Sequence, residues 1–177
     1  MDAEKFTKKS LEVIESCEKL AYEYNNQELT QAHLMYALVT VEDSLIAKLL
    51  TNMGINMDAF TGECEKLVAN RPKVSGGQLF TSPEFSKALI QAEKEAKQMG
   101  DDYISVEHIF LGLLEKADKD IKRVINAYGI TRGKFLEVLA NIRGNRKVES
   151  DNPEDTYDAL NKYGYNLVQR ARAVSYT

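Results

Sequence analysis

Two stretches of this chain repeat one pattern at a fixed offset of 75 residues, and no gap is needed to align them. His33-Leu34-Met35-Tyr36-Ala37-Leu38 answers to His108-Ile109-Phe110-Leu111-Gly112-Leu113, and Asn52-Met53-Gly54-Ile55 answers to Ala127-Tyr128-Gly129-Ile130. Glu18/Glu93, Lys19/Lys94, Ala21/Ala96, Asp43/Asp118, Ile46/Ile121 and Phe60/Phe135 are identical at that offset. Elsewhere apolar meets apolar, as at Val13/Ala88, Ile14/Leu89, Cys17/Ala92 and Leu67/Ile142. A repeated unit too small to bury its own apolar face must pack against its copy. The duplication therefore predicts one body made of two like halves.

The period within each copy is helical. Ser10, Val13, Ile14, Cys17, Leu20, Ala21 and Tyr24 recur at three- and four-residue steps, which puts them on one helix face. Thr7 is placed to cap that helix, because its hydroxyl can accept an orphaned backbone N–H. Thr30 opens a second helix, a third spans about 44–53 before Gly54, and a fourth spans about 57–70. Residues 71–80 hold Pro72 and Gly76-Gly77 with no period and read as the connection between copies. Ser82-Pro83 then restarts the pattern, a capping serine followed by proline at the first helical position. Alternation of β-branched residues is absent, so the expected class is all-α: eight helices in two four-helix halves related by a pseudo-twofold axis. The expected limits are 1–143 for this domain, with repeats at about 6–70 and 81–143. From Gly144 a polar connector leads to one more expected helix, about 154–172, marked by Tyr157, Leu160, Tyr163 and Leu167.

Bulk properties remove several function classes. A net charge of −4 without a clustered Lys/Arg stripe disfavours nucleic acid. No run approaches membrane-spanning length, and the N-terminus opens on charged residues, so a cytoplasmic protein without a membrane partner is expected. Cys17 and Cys64 fall on apolar helix faces and read as reduced core residues. Gly129-Ile130-Thr131-Arg132-Gly133-Lys134-Phe135 is too short between its glycines for a phosphate loop and lacks the magnesium-holding hydroxyl. It reads as a helix-ending glycine. His33 and His108 occupy equivalent positions near helix starts without further ligands at metal-binding spacing, so they read as backbone-bonding joints. No acid–base pair is poised anywhere, and neither an enzyme nor a bound cofactor is expected.

The copies disagree most informatively at Asn26/Asp101 and Ala32/Glu107. Acidic groups near helix N-termini are favoured by the dipole, so Asp101 and Glu107 have a stabilising reading. Their other reading is an acidic, hydrogen-bonding rim to a groove between the copies, able to hold an extended or basic peptide.

Phe6-Thr7, Thr30-Gln31-Ala32-His33-Leu34, Leu49 to Ile55, Ser82-Pro83 and Gly100 to Ile109 together resemble the N-terminal repeat domain of the Clp AAA+ chaperones. The resemblance covers about 6–143. Asn152-Pro153-Glu154-Asp155-Thr156-Tyr157 and the residues through Gly164 look like the entry to the first ATPase module of ClpB-type disaggregases. On that resemblance, 144–177 is linker and the start of that module, truncated before any Walker motif. The resemblance implies a non-catalytic domain that captures unfolded or aggregated polypeptide, and possible adaptor proteins, for ATPase rings elsewhere. ATP and magnesium would belong to those rings. The isolated domain would be monomeric and the parent hexameric. Thr7, Asp101 and Glu107 match positions that matter for substrate in the family, which makes them the expected binding residues. Relatives of the ClpC type bind phosphoarginine with an acidic residue in each copy; here Glu107 is kept and Ala32 is not. Gln91, Glu95 and His108 fall where some ClpB members line their groove with apolar side chains. The alternative reading is the N-domain of a ClpC- or ClpA-type unfoldase, or a stand-alone adaptor for protease partners or phosphoarginine-tagged proteins.

Overall fold

The computed structural model describes residues 2–154. The expected helix over about 154–172 is described only at its start, where Pro153 and Glu154 are helical; residues 155–177 lie outside the described residues. After a short 3-10 turn at Ala3–Lys5, the elements run α1 (Lys8–Glu23), β1 (Glu28–Leu29), α2 (Gln31–Thr40), α3 (Leu45–Asn52) and α4 (Met57–Ala69). The second copy runs β2 (Phe80–Thr81), α5 (Pro83–Gln98), α6 (Val106–Glu115), α7 (Lys119–Ala127) and α8 (Arg132–Arg143).

The local chemistry sets these limits. Thr7 accepts from the Ser10 amide at 3.2 Å, and its counterpart Ser82 accepts from the Phe85 amide at 3.0 Å. At the far ends of α1 and α5 the chain turns through the left-handed region at the equivalent residues Asn25 (φ 56°) and Gly100 (φ 72°). Asparagine and glycine are the residues that tolerate this conformation.

The strands were absent from the sequence reading because each is only two residues long, yet they explain the halves' union. Leu29 pairs with Thr81 in parallel, and Phe6 pairs with Ile104. Shifted by 75, the first pair becomes the second with its members exchanged. The same holds for Ser82 N–H to Leu29 O at 2.8 Å and Thr7 N–H to Ile104 O at 3.0 Å. Each copy thus lays its leading segment against the other copy, as a pseudo-twofold requires. Phe80, expected in the connection, is already part of this pairing.

α2 and α6 carry the centre of a single core to which every helix contributes. Leu34, Met35, Leu38, Phe110 and Leu113 are fully or almost fully buried there. Each such side chain contributes about 1.5–3 kcal/mol. Phe60 of the first copy meets Tyr128 of the second edge-on at 5.1 Å between centroids. At Gly112 α6 crosses α5 so closely that an added Cβ would strike the Ala88 carbonyl and lie 3.1 Å from the Ala92 amide. Cys17 and Cys64 are free and buried, and burial pushes the Cys64 thiol up to about 12. Among the described residues no helix is long and apolar enough to cross a membrane.

Candidate functional site

The two histidines are the joints the repeat predicts. His33 Nδ1 accepts the Thr30 amide at 3.0 Å, and His108 Nδ1 accepts the Ser105 amide at 2.9 Å. A nitrogen that accepts an N–H carries no proton, so Nε2–H donates in both rings. It reaches Asn26 Oδ1 at 2.8 Å in the first copy and Asp101 Oδ2 at 2.7 Å in the second. Burial, helped by the charge of Arg71, lowers the His33 pKa to about 4.

The Asn-to-Asp change across the copies is accompanied by another. Where the first copy has Val68, the second has Arg143, whose guanidinium binds Asp101 directly and lies 3.6 Å from Glu107. Burial alone would raise the Asp101 carboxyl. Hydrogen bonds from His108, Arg143 and the Val148 amide, with the Arg143 charge, hold it well below the usual carboxylate range. A neutral Asn26, Ala32, Val68 set in one half thus becomes an ionic Asp101, Glu107, Arg143 set in the other.

Thr7, Asp101 and Glu107, the three residues expected to bind substrate, do come together, but not as an exposed rim. All three are buried. Residues 144–154 return across them. Val148 is fully buried; its amide donates to Asp101 Oδ1 at 3.0 Å, and its carbonyl accepts from Asp102 N–H at 2.8 Å. The Asp151 carbonyl accepts the Lys8 amide at 2.7 Å. Glu154 Oε2 accepts from the Thr7 hydroxyl at 2.8 Å and from Val106 N–H, in the first turn of α6, at 3.2 Å. Burial, then the neighbouring Glu107 charge, pushes the Glu154 carboxyl up to about 7. Glu107 keeps both oxygens buried without a hydrogen bond. Sequence reasoning missed Arg143 and Glu154. The Val68/Arg143 contrast was a usable signal, because it changes polarity together with the two neighbouring contrasts.

Beside this cluster lies an open groove. Lys5, two residues before Thr7, lines it with Asp2, Thr81, Phe85, Ser86, Leu89, Ile90 and Glu93, around a cavity of about 500 Å³. Lys5 spans it to Glu93 at 2.8 Å. Ile90 is 50% exposed at its wall and Phe80 is 51% exposed nearby in the chain. The polar positions expected on an apolar groove do not line this one. Glu95 and His108 are buried, and Gln91 bonds Glu95, which is held by Arg132 at 2.6 Å.

The family described as the Clp repeat (R) N-terminal domain matches residues 5–128. The chain belongs to that family. It is 42% identical over 178 residues to the chaperone protein ClpB of Nitratidesulfovibrio vulgaris, covering 97% of this chain and 21% of that protein. ClpB of Clostridium tetani is 40% identical over 177 residues, covering 97% of this chain and 20% of that protein. The chain therefore spans about a fifth of the length of these curated relatives. In fold, the Hsp104 N-terminal domain from Candida albicans is similar at a TM-score of 0.74 and 21% identity, covering 83% of this chain and 97% of that one. The N-terminal domain of ClpD from Arabidopsis thaliana aligns at a TM-score of 0.60 and 19% identity, covering 81% and 98%. The duplicated helical body is thus a Clp N-terminal domain of the ClpB type, a non-catalytic class of domain.

Proposed function

We propose that this domain captures unfolded or aggregated polypeptide and delivers it for threading by ClpB-type ATPase rings. The observation that carries the reading is the groove lined by Lys5, Phe85, Leu89 and Ile90, with Ile90 left half exposed at its wall. Contiguous exposed apolar surface on a soluble domain marks sites that meet other chains. The groove is shallow and carries the Lys5–Glu93 bridge, so it offers modest apolar area and predicts weak, sequence-tolerant binding. Weak capture suffices when the domain is tethered to a ring, because the tether raises the local client concentration there. Thr7, Asp101 and Glu107 lie beside this groove, covered by residues 148–154, and take part once they are uncovered. The parent would be a cytoplasmic hexamer, with this domain monomeric on its own.

The test is a fluorescence-anisotropy titration of a labelled, reduced and carboxymethylated protein against the folded chain. Saturable binding that is weakened at least fivefold by Ile90→Asp, with helix content unchanged, is the expected result. Binding indifferent to Ile90→Asp and Leu89→Asp contradicts the groove as the capture surface.

A further inference from the structure

The surface formed by Thr7, the Lys8 amide, Asp101, the Asp102 amide and the Val106 amide already holds a piece of polypeptide, residues 148–154 of the chain itself, which bends at 150–151 and turns helical at Pro153 and Glu154. We propose that this segment is a built-in competitor, so that client polypeptide engages Thr7, Asp101 and Glu107 only when residues 148–154 are displaced. The inference rests on the capture reading above and deepens it.

Three of the contacts are to the main chain of the segment, at the Val148 N–H, the Val148 C=O and the Asp151 C=O. Val148 is held through both its N–H and its C=O, by Asp101 Oδ1 and the Asp102 amide. Asp151 is held through its carbonyl by the Lys8 amide at 2.7 Å. Main-chain recognition of this kind reads no sequence, so another segment that presents a free N–H and C=O satisfies the same groups. Two side chains fix the register: Val148, fully buried, and Glu154, whose carboxylate takes the Thr7 hydroxyl and the Val106 amide.

The fit is incomplete at one end. Docking Glu154 brings its carboxyl beside Glu107, whose two oxygens are buried without hydrogen-bond partners, and Glu154 Oε1 is likewise unpartnered. Arg143 is the nearby cation, and its guanidinium also serves Asp101. Buried acceptors left without donors weaken the docked state relative to one in which an incoming chain supplies N–H groups. The segment therefore holds the site closed without holding it tightly. Its position gives the competition a consequence: residues 144–154 follow directly on α8, so client binding that expels them frees the connection running toward the residues beyond.

The test uses a reversible lock. Lys8→Cys with Asp151→Cys places two exposed cysteines where the Lys8 amide meets the Asp151 carbonyl, and a disulfide between them holds the segment down. The same labelled, carboxymethylated protein is titrated against the oxidised and the reduced forms. At least tenfold weaker binding when oxidised, restored by reductant, is the expected result. Glu154→Ala perturbs in the opposite sense and is expected to speed amide exchange at Val148 and Asp102 and to tighten client binding several-fold. Equal binding by oxidised and reduced forms, or faster exchange in Glu154→Ala with no gain in binding, overturns the competition while leaving capture standing. No binding by any form removes the capture reading and this inference with it.

Discussion

Arg143 can be tested against a control that the chain carries within itself. Its guanidinium is 7% exposed and sits between Asp101 and Glu107, both with fully buried side chains. Arg143→Val leaves these acids without their cation, and breaking a buried pair by removing one partner costs about 3–5 kcal/mol. The other half of the molecule shows the same site built without charge, as Asn26, Ala32 and Val68. Copying that set across, as Asp101→Asn with Glu107→Ala and Arg143→Val, removes the orphaned charges together and keeps an acceptor for His108 Nε2–H. Well-packed apolar replacement of a buried ionic group is often neutral or stabilising. The triple variant is therefore expected within about 1 kcal/mol of the parent or above it, given the contacts Arg143 also makes to Met99 and the Arg146 carbonyl. Urea unfolding followed by circular dichroism at pH 7 measures both. A single variant within about 0.5 kcal/mol of the parent, the level of an ordinary surface change, refutes the argument. So does a triple variant no more stable than the single.

Gly112→Ala forces α6 away from the Ala88 carbonyl, and overpacking of this kind costs about 1–3 kcal/mol; an unchanged urea midpoint contradicts the close crossing. His33 has its pKa lowered from 6.5 to about 4 by burial and Arg71, so the folded state prefers the neutral ring. The stability this contributes is complete above pH 6.5 and is lost as pH falls towards 4, by about 3 kcal/mol. His33→Gln, compared by urea unfolding at pH 7 and pH 4.5, should flatten that slope, and an equal slope in both proteins contradicts the assignment. Glu154 runs the other way. Its carboxyl is raised from 4.5 to about 7 by burial and Glu107, against the hydrogen bonds from Thr7 and the Val106 amide, so docking of residues 148–154 weakens as pH rises through that window. Val148 amide protection should fall across it after correction for intrinsic exchange, and protection that rises with pH contradicts the sign.

The helices were legible because their apolar residues recur with helical spacing and their caps are chemically plain, as at Thr7, Ser82 and Pro83. The histidine joints were legible because one side chain at one repeat position performs one local task twice. The strand exchange was not, since Leu29–Thr81 and Phe6–Ile104 are two-residue pairings with no period to detect. Thr7, Asp101 and Glu107 were read as a binding set, and their burial was not foreseen. Burial there depends on Val148 and Glu154, residues outside the repeat whose positions follow from tertiary contact rather than pattern. The burial of Glu95 escaped the sequence for a related reason. Glu95 looks like a polar surface residue in sequence, yet Arg132 and Gln91 pair with its carboxylate inside the fold.

Amide chemical-shift mapping of the isotopically labelled chain with an unfolded client addresses capture most directly. The account predicts saturable changes at Phe80, Leu89 and Ile90, followed at higher occupancy by Thr7, Val106 and Val148 as the covering segment leaves. A spectrum unchanged by client, or changes confined to the exposed faces of α3 and α4, would contradict it.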